Sequence, residues 1–262
     1  MIPLRALVRK ELASLFGSPL AYLTLTGVAL VTALIFFDHL RVYNQILFLY
    51  SSTSLGGFDA DAIPDFVNLR DQVFLPVMET LGLTLIGLVP LVTMRVFAEE
   101  RARQTDELLQ TTLLSPTEIV LGKFAATFVF VALLLLASFV YPAASILRAG
   151  LGLEHLAAVY LGLFVLGLAL ASIGLACSAL TASQLVAAVS AYAVAFVFYD
   201  FSWATTFTGE TLGPLLDALS LHPRFGRFSE GVVRVADLVY FAGYAVVAFA
   251  VARLSLEQAR VR

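Results

Sequence analysis

The chain has 262 residues, 60% of them hydrophobic and 13% charged, with a formal net charge of −3 and a mean hydropathy of +0.92. A soluble domain carries roughly 45–50% apolar and about 25% charged residues, so no soluble core hides this excess and a bilayer has to act as solvent. The small net charge and the lack of a basic stripe exclude a nucleic-acid partner. The lone Cys177 can close no internal disulfide, and no Cys/His spacing matches a zinc site.

In chain order, Leu4, Leu7, Val8, Leu12, Leu15 and Phe16 recur at helical spacing beside Arg5, Arg9 and Lys10. The pattern predicts an N-terminal amphipathic helix at the cytosolic interface, turning at Gly17-Ser18-Pro19 into the membrane; the alternative is an ordinary helical tail. No small-residue cleavage site follows its apolar run, so the segment is expected to be a retained anchor and not a cleaved signal. A helix needs about 17–25 apolar residues to cross the hydrocarbon. Six stretches come close enough: 20–37, 74–94, 124–147, 156–180, 185–203 and 238–253. Backbone groups cannot stay unpaired in lipid, so all six are expected to be helices. The fold class is therefore expected to be all-α, a polytopic membrane protein with six transmembrane helices in a single transmembrane domain, residues 1–262.

The intervening segments differ in character. Asp38–Val73 contains SSTSLGGFDADAIPDF and reads as an exposed outer loop. Thr181–Gln184 is a tight hairpin between the fourth and fifth spans. In Ala204–Asp237 an apolar stripe of Leu212, Leu215, Leu216 and Leu219 is broken by His222-Pro223 and followed by Phe225, Phe228, Val232 and Val233. Two short helices dipping into the outer leaflet are expected there, with Asp237 capping the last span; a decorated surface loop is the alternative. Lys and Arg divide ten against six between the two sides, which predicts both termini in the cytosol; the chain is expected in the inner, cytoplasmic membrane as a multi-pass protein.

The most charged internal segment follows the second span: MRVFAEERARQTDELLQTTLLSPTEIVLGKF, residues 94–124. Glu99, Glu100, Asp106, Glu107 and Glu118 alternate with Val96, Phe97, Leu108, Leu109, Leu113 and Leu114, which predicts a short helix with one apolar side. Ser115-Pro116-Thr117-Glu118 then has the form of a capping box, with Ser115 at the N-cap, proline in the first helical position and Glu118 in the third. A helix, a firm break and a second helix are expected.

This segment resembles the signature of ABC-2-type exporter permeases, and among them the gliding-motility-associated group. The resemblance extends to Ser18-Pro19-x-Ala21-Tyr22, to Leu88-x-Pro90-x-x-x-Met94-Arg95 and to Gly231-Val232-Val233-Arg234-x-x-Asp237-Leu238-Val239-Tyr240-Phe241, covering nearly the whole chain. It departs where the family usually has glycine (Gln104), an apolar residue (Asp106) and a proline (near Leu113). The resemblance implies that the loop is a cytosolic coupling helix seated in a separate ABC ATPase, with Glu99, Glu100, Thr105, Glu107, Leu108 and Leu109 as the contact set. It also implies a second permease chain, identical or paralogous, and a possible periplasmic auxiliary protein.

Other chemistry is sparse. No G-x-x-x-x-G-K-[ST] occurs, so ATP and Mg are expected in the partner and no cofactor in this chain; no H-E-x-x-H occurs either. His39, His155 and His222 have no i, i+4 partner, and no serine has a plausible base, so the chain is not expected to be an enzyme. Glu79 and Asp200 are the two ionisable groups placed inside spans. Gly167, Ala171, Gly174 and Ser178 share one face of the fourth span and would let another helix approach closely, while Pro90 and Pro142 are positioned to kink the second and third. The expected function is the permease of an ATP-driven exporter, in contact with membrane lipid. The alternative is a non-transporting mechanical complex acting on the envelope through periplasmic partners.

Overall fold

Helices are the only regular structure among the described residues, as a backbone without water to bond it requires. The computed structural model describes residues 2–53, 64, 67–105, 114–150, 152–201, 213 and 218–261. The elements are α1 (Ile2–Phe16), α2 (Pro19–Thr53), a π-helical turn (Arg70–Phe74), α3 (Leu75–Thr93), α4 (Arg95–Ala102), α5 (Pro116–Ser138), α6 (Val140–Arg148), α7 (Leu153–Leu180), α8 (Gln184–Tyr199), α9 (His222–Ser229) and α10 (Val235–Val261).

Among the described residues, five helical segments are long and apolar enough to cross a membrane: Pro19–Tyr50, Arg70–Ala102, Pro116–Ser138, Leu153–Leu180 and Val235–Ala259. The expected fifth span is the exception, because α8 has 16 residues and at about 1.5 Å per residue reaches only about 24 Å. Trp203, its expected end, lies outside the described residues.

Several boundaries move for physical reasons. The expected loop from Asp38 is helical as far as Thr53, since 38–50 holds no glycine or proline and Leu40 and Tyr43 keep the stripe that packs on the core. The third span begins earlier, at Pro116, and ends at Ser138; Phe139 separates it from α6. Pro142 explains that break, because its ring nitrogen cannot bond the Ser138 carbonyl, and the Phe139 N–H turns to Leu136 O instead. Pro90, by contrast, lies within a continuous α3. In the 204–237 segment, residues 202–212 and 214–217 lie outside the described residues, and His222-Pro223 opens α9. Asp237 does not cap α10. It lies within the helix, and its buried carboxylate is held by Arg224 (3.2 Å) and by Arg227, tying α9 to α10.

α7 is the centre of the bundle. Its apolar window is 67% buried, against 28% for α2 and 22% for α10, so the latter two present most of their surface outward. α7 packs against α10, α3, α8, α5, α9 and α4. Close approach is possible because its small residues lie at the contacts: a Cβ on Gly167 would sit 2.7 Å from Val131 Cγ1, and one on Gly174 would overlap the Thr93 side chain. α1 and the end of α10 both reach the end of the bundle that carries α4, through Glu11–Lys123 and Arg101–Ser255.

Gly174→Ala is therefore expected to destabilise by about 1–3 kcal/mol through overpacking. Gly87→Ala, whose Cβ would meet nothing within 4 Å, is expected to be neutral or stabilising. Thermal unfolding of both variants in detergent checks the contrast.

Candidate functional site

Lys123 lies two turns into α5 and is 1% exposed. An ammonium in that position has three protons and no water, so each needs a protein acceptor. Its Nζ donates to Glu11 Oε2 of α1 (3.0 Å) and to the Val96 carbonyl of α4 (2.8 Å), and pairs with Glu100 Oε2 (2.8 Å). The Phe97 ring lies below it, 5.2 Å from Nζ to the centroid. Lys10 closes the group by donating to Glu100 Oε1 (2.5 Å) and Glu11 Oε1 (2.9 Å). Two ammoniums and two carboxylates thus form a neutral ring joining α1, α4 and α5. Burial alone would lower the Lys10 pKa; its hydrogen bonds to Glu100 and Glu11 outweigh that and raise it, which favours the ammonium form of Lys10.

Local sequence explains how α1 reaches this position. Leu7 packs directly over Gly122, where a Cβ would lie 2.5 Å from Leu7 Cδ2. The apolar side of α1, expected at a membrane interface, is thus turned in part onto α5, and Glu11 one turn later falls opposite Lys123.

α4 is fixed from two further directions. Ser178 of α7 inserts its hydroxyl into the α3–α4 junction, accepting from the N–H groups of Phe97 (3.1 Å) and Ala98 (3.0 Å) and donating to the Met94 carbonyl (2.8 Å). A side chain entering the helical ladder is a recognised cause of a sharp break, and here it separates α3 from α4 at Met94. Glu99 bonds Arg95 (2.8 Å) and Arg103 (2.7 Å), one turn to either side, and Arg95 also donates to Ser18 Oγ at the foot of α2. Arg101 donates to Ser255 (2.9 Å), and Ser255 to the Ala179 carbonyl (2.6 Å), which attaches the end of α10.

The end of α4 is a Schellman motif: Thr105 N–H bonds Glu100 O (2.9 Å) and Gln104 N–H bonds Arg101 O (3.1 Å). Such a motif places its penultimate residue in the left-handed region, and Gln104 has φ 56°. This is the position at which the resembled family has glycine.

Of the residues expected at the coupling interface, Glu99, Glu100 and Thr105 are at this site, with Glu100 engaged inside the chain; Glu107, Leu108 and Leu109 lie outside the described residues. Ser115 and Glu118 form the capping box, Ser115 Oγ accepting the Glu118 N–H and the Glu118 carboxylate accepting the Ser115 N–H (2.8 Å). Gly167, Ala171, Gly174 and Ser178 share the face of α7 that meets α3, α4 and α5, and Ser178 adds hydrogen bonds to the packing expected of it. Glu79 is exposed on α3, Asp200 ends α8, and the rings of His155 and His222 rest on Phe74 and Tyr199. Lys10, Glu11 and Lys123 were not expected as site residues. The available signal was a lysine inside the apolar run IVLGKFAAT and a single acid in the N-terminal helix.

Between α1 and α4 lies a cleft of about 410 Å³, floored by Lys123 and Thr127 and walled by Lys10, Glu11, Arg95, Glu99, Glu100 and Arg103. Among the described residues no group of three His, Cys, Asp or Glu side chains could hold a metal. The charges are paired with one another, an arrangement suited to holding helices together and receiving a ligand or partner. A scan against protein-family models and a search of curated proteins both end without a match.

Lys123→Met is expected to destabilise by about 3–5 kcal/mol because the buried Glu11 and the half-buried Glu100 both lose a buried partner. Glu11→Leu combined with Lys123→Met should cost clearly less than the sum of the two single variants, a coupling read from unfolding midpoints in a double-mutant cycle. Gln104→Gly should stabilise by up to about 1 kcal/mol and Gln104→Val should destabilise, since only glycine adopts the left-handed region without steric cost.

Proposed function

We propose that this chain is the membrane-embedded permease subunit of an ATP-driven transporter of the ABC-2 type, an exporter whose ATPase is a separate chain. The single observation that carries this reading is the charged segment 94–124, with its acidic pair Glu99-Glu100 and its capped second helix. The anchoring of α4 adds support: a helix tied to α1 by Glu100, to α2 by Arg95, to α5 through Lys123 and to α7 by Ser178 is well placed to pass an applied displacement to the spans.

In this reading α8 is the sixth crossing, both termini and α4 face the cytosol across the inner membrane, and two permease chains enclose the substrate path. ATP-driven closure of the partner pushes the segment that begins at α4. The capped start of α5 receives part of that motion and α7 receives another part through Ser178. A mechanical complex of the gliding-motility kind would use the same linkage without moving a substrate, so ATP-dependent transport in vesicles separates the two.

Glu107→Arg combined with Leu108→Asp is expected to abolish co-purification of the ATPase from native membranes while leaving membrane insertion and the unfolding midpoint unchanged. Undiminished ATPase recovery with that variant would sink the reading.

A further inference from the structure

The cleft between α1 and α4 has an uneven charge distribution. Its carboxylates are turned inward and saturated: Glu11 and Glu100 each meet both Lys10 and Lys123, and Glu99 meets Arg95 and Arg103. Its outermost groups are cationic, with the Lys10 side chain 51% and the Arg103 side chain 71% exposed. Arg103 gives one terminal nitrogen to Glu99, and a guanidinium has five donors. Counting Lys10, Arg95, Arg103 and Lys123 against Glu11, Glu99 and Glu100, the lining carries one excess positive charge, held at the mouth.

The lining of the same cleft is also partly apolar. Leu20 and Ala21 from the first turn of α2, and Val92 from the last turn of α3, line it where the two long apolar helices begin and end. A cationic mouth and an apolar wall meet where an amphipathic helix joins a membrane helix, at the level of lipid headgroups.

We propose that this cleft binds the phosphodiester headgroup of an anionic phospholipid. Arg103 and Lys10 hold the phosphate, and the first carbons of an acyl chain lie along Leu20, Ala21 and Val92. A positive mouth selects an anionic over a zwitterionic lipid, and the apolar wall selects a lipid over free phosphate. The proposal uses only the membrane placement of the helices and is independent of any ATPase partner.

The test is made on the purified full-length chain in neutral detergent, using native mass spectrometry and thermal unfolding. Phosphatidylglycerol, phosphatidylcholine and inorganic phosphate are added separately. Phosphatidylglycerol is expected to bind at one saturable site and to raise the unfolding midpoint, and the other two are not. Arg103→Gln should weaken phosphatidylglycerol binding about fivefold, the loss expected for one cation at an anionic headgroup. Arg103→Lys should retain binding, and Arg148→Gln, an exposed cation at the opposite end, should bind as the unaltered chain does. The midpoint without lipid reports whether each variant is folded, and Lys10→Gln provides a second variant. Unchanged phosphatidylglycerol binding by both Arg103→Gln and Lys10→Gln would overturn the proposal. So would equal binding of phosphatidylcholine, or stabilisation by inorganic phosphate as large as that by the lipid.

Discussion

A buried ammonium group cannot be left to find its own acceptors, and the architecture at one end of this bundle is organised around that requirement. Lys123 needs three acceptors, and they come from two other segments: Glu11 from α1, and Glu100 with the Val96 carbonyl from α4. Glu11 lies 112 positions from Lys123 and Val96 lies 27, so the lysine fixes the relative placement of segments that the chain itself leaves apart. A hydrophobic contact in the same place would be non-directional and would let α1 slide on α5; the charge ring admits one arrangement. Whether such a ring adds net stability over an apolar substitute is a separate matter from its specificity, since buried ion pairs regain little beyond their desolvation cost.

The second constraint is steric. α7 brings a run of small side chains against α3 and α5, which lets Thr93 and Val131 lie where a larger residue would exclude them. Ser178 continues that face by one turn and exchanges packing for hydrogen bonding, accepting two backbone N–H groups of α4. The central helix thus touches the spans along its length and grips the charged segment at its end. At the other end the Asp237 carboxylate plays a comparable part, joining α9 to α10 through Arg224 and Arg227, with the Arg224 guanidinium stacked 3.9 Å from the Tyr240 ring centroid.

Much of this is legible in the sequence because membrane helices announce themselves by length and composition, and the Ser115 cap by a four-residue pattern. The helix ends are less legible. Asp38, Arg41, Asn44 and Gln45 look like the start of a loop, yet polar residues do not stop a helix in the absence of glycine or proline, and α2 continues through them. Lys123 immediately precedes the expected third span, 124–147, because a single charge in an apolar run is ordinarily placed at its edge; only the three-dimensional approach of Glu11 and Glu100 shows it inside. Ser178 was recognised as small, which is a local property, whereas its bonding partners lie more than 70 positions away. Gln104 illustrates the reverse case, an ordinary polar residue whose role in ending α4 becomes visible only with its φ of 56°.

The uninterrupted length of α2 has a mechanical consequence. Its 35 residues make a rod of roughly 52 Å, well beyond the ~30 Å of a bilayer's hydrocarbon, and its foot begins immediately after Ser18, where Arg95 of α4 takes hold. Rotation about that foot is amplified with distance. A tilt of about 10° would carry the far end through roughly 9 Å for a rod of this rise per residue.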